Sequence, residues 1–221
     1  IGKTRLVQEF RMRIGDAPHL WVEGAGERLN SNTPFHVVAR MLDQVIRWRG
    51  DETPQQCIEE LEAALERSGL DVAEAMPLMC ELLNLSSPAK YPPLTLAPDQ
   101  KRRRLLACLT AWVLNLVRNV PLIIAIEDLH WADPSSMEVL LSLVEQGALG
   151  PLMLLCTARP EFRPGWPMRA HHVQVQLDRL SREETRELVG GGAGEAPLSQ
   201  AVIETVIGRT DGVPLFAEEL T

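Results

Sequence analysis

The chain has 221 residues, 45% of them hydrophobic and 24% charged, with a net charge of -8. That length holds one sizeable core, or a core with a small second lobe, and the composition is ordinary for a globular protein. The acidic balance argues against a general nucleic-acid surface, no apolar run reaches membrane-spanning length, and no secretory signal opens the sequence, so a cytoplasmic protein that avoids the membrane is expected.

Ile1-Gly2-Lys3-Thr4-Arg5-Leu6 leads into a helical pattern from Thr4 to about Ile14. His19 to Gly24 reads as a strand that ends at glycines. Thr33-Pro34 reads as an N-cap and first helical position, with Phe35, Val38, Leu42 and Val45 on one helix face. Thr53, Pro54 and Gln56 form a second start signal, a capping box, and Gly69 closes that helix. Leu85 to Ala97 is rich in Pro and Ser and reads as a loop. A long helix from about Asp99 to Arg118 follows it.

Pro121 then introduces Leu122 to Ile126, a short unbroken apolar run with β-branched content, which predicts a strand buried on both faces. Asp133-Pro134 starts a helix to about Gln146. Leu152 to Ala158 is a second apolar strand ending at Arg159, and His172 to Leu177 alternates like a strand nearer the edge. Ser181 with Glu184 caps a helix ending near Gly190 to Gly192, and Gly190 to Pro197 reads as a lobe boundary. Leu198 to Arg209 is helical, Thr210 to Pro214 turns, and a last helix runs towards Thr221. Strands alternating with helices imply a parallel sheet covered on both faces. Cys57, Cys80, Cys108 and Cys156 are scattered, without metal-ligand or disulfide spacing.

The chemistry concentrates where the run from Leu122 ends in two adjacent acids, Glu127 and Asp128. Acids at the carboxyl end of a buried strand are costly without a cationic partner, and in open parallel sheets that edge is where ligands bind. Mg²⁺ on a nucleotide phosphate would satisfy both. Gly2-Lys3-Thr4 matches the end of the phosphate-binding loop GxxxxGK[ST], in which glycine lets backbone N–H groups approach phosphate, lysine reaches the β and γ phosphates and threonine holds Mg²⁺. One of the two acids would bind Mg²⁺ through water and the other polarise the attacking water. By the usual layout Glu127 is the metal-side group and Asp128 the water-side group. The longer arm of Glu at the first place leaves that assignment open. The plain alternative is a strand end whose acids cap the next turn.

IGKTRL, IEDLHWADPSS, LLCTARPEF and DGVPLFAEEL, in that order, resemble the ATPase module of the STAND class of signal-transducing P-loop ATPases, and most closely the AAA-type ATPase region of large bacterial regulators. Those regulators join the module to class III adenylate or guanylate cyclase, protein kinase or LuxR-type DNA-binding domains, often followed by tetratricopeptide repeats. YPPLTLAPDQKRRRLL and WPMRAHHVQVQLDRLSREE resemble the cyclase-associated branch. The resemblance implies an α/β P-loop NTPase sheet over residues 1–189, with a helical insertion at about 25–120 and the start of a helical second lobe at 190–221. It also implies that the strand before the phosphate loop, and most of that loop, precede residue 1. The sheet would then lack its first strand, and these residues alone would bind ATP poorly.

Two roles follow from the resemblance. Arg159 sits where the family places an arginine that senses the γ-phosphate, and Pro214 of Gly212-Val213-Pro214 matches a GxP motif whose proline packs on adenine. The candidate catalytic residues are thus Glu127, Asp128 and Arg159. The nucleotide-binding residues are Gly2, Lys3, Thr4 and Pro214, and the Mg²⁺ ligands Thr4, Glu127 and Asp128. His130 and Trp131 read as structural, because neither a nucleophile nor metal-ligand spacing accompanies them. Arg102, Arg103 and Arg104 near a helix start invite an anionic partner or form a solvated face, and Arg163 is a further candidate phosphate contact.

The resulting expectation is an ATP-dependent regulatory switch with slow turnover, acting on other domains of the same polypeptide. The alternatives are a nucleotide-binding switch without hydrolysis, and a DNA-linked ATPase resembling origin-recognition proteins. The acidic charge and the lack of a visible helix-turn-helix disfavour direct nucleic-acid contact by this segment.

Overall fold

A computed structural model describes residues 2–48, 50–146, 150–192, 200–210 and 212. In chain order the elements are α1 (Lys3–Ile14), β1 (Leu20–Ala25), α2 (His36–Ile46), α3 (Pro54–Arg67), α4 (Val72–Leu82), α5 (Pro98–Asn119), β2 (Leu122–Glu127), a 3₁₀ turn (Leu129–Trp131), α6 (Pro134–Gln146), β3 (Leu152–Cys156), α7 (Arg182–Gly192) and α8 (Gln200–Thr210). The chain divides into two compact units, Asp16–Pro167 and Ile1–Gly15 with Met168–Thr221. Among the described residues no helix is long and apolar enough to cross a membrane.

The larger unit is built on a three-stranded sheet of order β1-β2-β3, parallel throughout. This is the expected α/β arrangement of a P-loop NTPase. Leu122 to Ile126 of β2 are buried without a break. Successive strand residues point to opposite faces, so this run is covered on both. In register, Gly24 and Cys156 flank Ile126, and Ala25 lies beside Glu127. The strands therefore end together, and their carboxyl ends form one edge.

Four helices, α2 to α5, connect β1 to β2, and α6 connects β2 to β3. Their apolar faces and the sheet share one core that includes Val38, Leu42, Leu61, Met76, Trp112 and Leu140. The α3 start follows the capping-box expectation: Thr53 Oγ1 accepts from Gln56 N, and Gln56 Oε1 accepts from Thr53 N. The α4 helix went unrecognised as an element. Its N-cap signal is present, with Asp71 Oδ1 accepting from Ala73 N and Glu74 N, but Pro77 inside the helix hides the period. In the smaller unit, α7 and α8 pack through Val189 and Val206. Glu204 of α8 pairs with Arg182 and Arg186 of α7, and Ser181 and Glu184 form the expected reciprocal cap.

Two local expectations are corrected. Thr33-Pro34 does not start α2, which begins at His36 after Phe35 adopts a left-handed backbone, φ 57°. The cap comes instead from 98 residues away in sequence: Asp133 Oδ1 accepts from Phe35 N at 2.8 Å. The same carboxylate accepts from Ser136 N at 2.9 Å and Ser136 Oγ at 2.6 Å. A local signal could not reveal that partner. Residues 172–177 are not a strand either. Alternation predicts a strand only where a neighbouring edge supplies hydrogen bonds, and Val173 and Val175 are instead 85% and 66% exposed.

Asp133 is 1% exposed and starts α6 while holding the entry to α2. Asp133→Ala leaves two buried N–H donors without an acceptor, at a cost of about 1–3 kcal/mol each. The expected result in a denaturant melt is a loss on the order of 3 kcal/mol, with a smaller loss for Asp133→Asn, which keeps one acceptor oxygen. Equal stability of Asp133→Ala and wild type would show that the cap carries no weight.

Candidate functional site

The carboxyl edge of the sheet takes its form from one unusual residue. Asp128, directly after β2, has a left-handed backbone, φ 48° and ψ 46°. Asp tolerates this conformation better than most residues, yet it persists only when its surroundings impose it. They do so from both sides. Thr157, the residue after β3, accepts from Asp128 N through Oγ1 at 3.1 Å, accepts from Leu129 N through its carbonyl at 2.8 Å, and donates its own N–H to Ile126 O at 2.9 Å. On the β1 side, Gly26 N donates to Glu127 O at 2.8 Å. A Cβ on Gly26 would lie 2.4 Å from Asp128 O and 2.7 Å from Ala132 N, so only glycine permits the approach.

The chain then turns through Leu129–Trp131, with Trp131 N donating to Asp128 O at 2.8 Å, and runs into the Asp133 cap. The two acids emerge differently from this turn. Glu127 is half-buried at the strand end, whereas the Asp128 side chain is 52% exposed. His130 Nδ1 lies 3.8 Å from Asp128 Oδ1, beyond hydrogen-bond range, and neither ring nitrogen of His130 has a hydrogen-bond partner. The ring is tilted against Trp131 with centroids 5.1 Å apart. Among the described residues no hydrogen bond orients this imidazole.

Arg159 is exposed, three residues beyond β3, with its guanidinium carbon 5.4 Å from the Trp131 ring centroid. Arg28, in the turn after β1, stands 5.6 Å from the same ring. The larger unit thus brings Glu127, Asp128 and Arg159 to one edge. Three residues there went unnoticed in the sequence. Gly26 had a signal, the glycines closing β1. Thr157 and Arg28 had none, because their partners lie far along the chain. The Arg102 guanidinium finds its anion inside the fold, donating to Glu138 of α6 at 2.8 and 3.2 Å. Arg163 donates to Pro160 O and Phe162 O, which closes its own turn.

The remaining candidates lie in the smaller unit. Gly2 precedes α1 with φ 74° and ψ 3°, and offers the helix no side-chain cap. An added Cβ would meet nothing within 4 Å, so the left-handed backbone, not crowding, is what calls for glycine. Lys3 and Thr4 are the first residues of α1, whose N-terminal end suits an anion. Pro214 lies outside the described residues.

The donor set suits Mg²⁺. Among the described residues no three His, Cys, Asp or Glu side chains cluster as an all-protein metal cage. Mg²⁺ needs no such cage, because it is usually held by one or two carboxylates with phosphate and water. Softer metals find little here: burial pushes the Cys108 and Cys156 thiols up to about 11, so neither is a thiolate at neutral pH.

Comparison with known proteins shows the family. The sequence model of a family described as AAA ATPase domain matches residues 1–155. A protein named Uncharacterized protein R02095, of Rhizobium meliloti (strain 1021), is 32% identical over 126 residues. That match covers 55% of this chain and 12% of the relative, so most of the relative lies outside it. No solved structure matches.

Gly26→Ala is the variant that tests the edge. Its methyl group must displace the main chain at Asp128 and Ala132, and such overpacking costs about 1–3 kcal/mol. A thermal melt should show that loss, with faster amide exchange at Asp128 and Leu129. Wild-type stability and exchange would mean that the close approach is not what holds Asp128.

Proposed function

The chain belongs to the family of AAA ATPase domains, and from that premise we propose that it is the ATP-binding, slowly hydrolysing regulatory module of a multidomain signalling protein. The observation that carries the site assignment is Asp128. A half-exposed carboxylate is held in left-handed backbone by neighbours on both sides, at the carboxyl edge of a parallel sheet. Structure spent on orienting an exposed acid suits a binding site.

In this reading Gly2 and Lys3 receive the phosphates and Thr4 binds the metal. Mg²⁺, when bound, would neutralise phosphate charge. Glu127 and Asp128 divide the remaining work, one holding the metal's water and the other orienting the attacking water. The half-buried position of Glu127 at the strand end and the greater exposure of Asp128 favour Glu127 on the metal side. Arg159 meets the γ-phosphate, for which a guanidinium has matching geometry. Pro214 contacts the base.

The regulatory part of the reading rests on two supports. The segments YPPLTLAPDQKRRRLL and WPMRAHHVQVQLDRLSREE resemble the cyclase-associated branch of such modules. The Rhizobium relative also extends far beyond the matched region. We therefore assign the output to another domain of the same polypeptide, a nucleotide cyclase first, with a kinase or DNA-binding domain and tetratricopeptide repeats as the other arrangements. The net charge of -8 weighs against a DNA-linked ATPase whose P-loop segment itself touches DNA.

The test uses full-length protein with radiolabelled ATP and Mg²⁺. Wild type should bind ATP and release phosphate slowly. Lys3→Ala should lose binding, and Asp128→Asn should keep binding while phosphate release falls by about 10²-fold or more. No binding at millimolar ATP overturns the proposal. Binding with no phosphate release in either wild type or Asp128→Asn replaces it with a switch that does not turn over.

A further inference from the structure

Trp131 has no role in burying the strand or in supplying a metal ligand, yet two arginines from different strand ends meet it. The guanidinium carbons of Arg28 and Arg159 lie 5.6 and 5.4 Å from its ring centroid, both inside the roughly 6 Å reach of a cation–π contact. Among the described residues neither arginine forms an ion pair. Glu27, next to Arg28, is engaged by Asn30 Nδ2 and lies 3.6 Å from His36 Nε2. The other arginines near this edge behave differently: Arg102 has Glu138, and Arg163 satisfies its own turn.

Both arginines are also placed by the backbone. Arg28 follows Gly26, which is pressed against the Asp128–Ala132 main chain, and the Arg28 carbonyl accepts from Ser31 Oγ at 3.0 Å. Arg159 follows Thr157, which holds Asp128 N. Two cations sharing one indole repel each other, and a cation–π contact at an exposed ring offsets only about 0.5–1 kcal/mol. A multiply charged anion between them removes the conflict, and a phosphate group accepts two guanidinium forks at once. Glu127 and Asp128, which the reading above assigns to the Mg²⁺ of a bound nucleotide, lie on the same edge.

We propose that Arg28 and Arg159, held by Trp131, form a two-arginine cradle for the terminal phosphate of ATP, in which Arg28 sets the preference for ATP over ADP. This rests on the ATP-site reading above. Trp131 is the positioning residue and contacts no phosphate. The cradle gives Trp131 a reason to follow the acids: its ring offers both guanidinium groups a cation–π contact that an aliphatic side chain would not.

The experiment titrates full-length wild type and variants with Mg²⁺–ATP, Mg²⁺–ADP, and Mg²⁺–ADP with inorganic phosphate. Arg28→Ala should weaken ATP by about tenfold to a hundredfold, the size of a lost charge-assisted contact, and leave ADP nearly unchanged. Arg28→Lys should recover only part, because an ammonium lacks the fork. Trp131→Leu should lower the ATP-over-ADP ratio and Trp131→Phe should retain most of it. Arg40→Ala, at an exposed arginine of α2 that pairs with Asp43, is the control and should bind like wild type. Arg28 is exposed, so its variants test the cradle even if Trp131→Leu fails to fold. ADP with free phosphate should not reproduce the dependence on Arg28. If it does, the site takes phosphate as such and the assignment to the terminal phosphate of ATP is overturned. Equal effects of Arg28→Ala on ATP and ADP, or none on either, overturn the cradle and leave the ATP site standing. Absence of ATP binding by wild type removes both.

Discussion

One backbone conformation organises this molecule. Asp128 turns the chain from a doubly buried strand into a helix start within a few residues, and it does so in left-handed geometry. That geometry is maintained by the two neighbouring strand ends, through Thr157 on one side and the bare α-carbon of Gly26 on the other. Parallel strands in matched register make this possible, because all three end at the same edge. Had β3 slipped by one residue, Thr157 would face the other way and Asp128 N would lose its acceptor. Asp133 completes the arrangement by joining the starts of α2 and α6 through one buried carboxylate.

The charges follow from that frame. Buried acids are given to structure: Asp133 receives three hydrogen bonds inside the fold. At the edge, Asp128 stays half-exposed, and Arg28 and Arg159 stand beside Trp131 without an ion-pair partner among the described residues. Some cations elsewhere have an anion within the protein, as in Arg102 with Glu138, Lys90 with Glu62, and Lys101 with Glu81. Surface pairs of this kind add little stability.

Much of the frame was legible from local pattern. The β2 run, the α6 start at Asp133-Pro134 and the α3 capping box each rest on neighbours within four positions, and each is found. The acids were legible as well, because a buried strand that ends in charge is a local contradiction. The unread features depend on distant partners. The entry to α2 is held by Asp133, far away in sequence, so Thr33-Pro34 looked like the start. The segment 172–177 alternates as a strand would, but pairing requires an edge that alternation cannot supply. Thr157 and Arg28 look like any loop residues until the strands are aligned. The motif end Gly2-Lys3-Thr4 and the acids Glu127 and Asp128 were legible as two halves of one expected site, and the family resemblance added the expected roles of Arg159 and Pro214.

The central claim is that the edge built around Asp128 receives ATP with its metal. Isothermal titration of the full-length protein with ATP, in Mg²⁺ and again with the metal chelated, tests it most directly. The account predicts saturable binding that weakens strongly on chelation, and a Glu127→Gln, Asp128→Asn double variant whose binding no longer responds to Mg²⁺. Binding of equal strength with and without metal, or a double variant that keeps the full Mg²⁺ response, would contradict it.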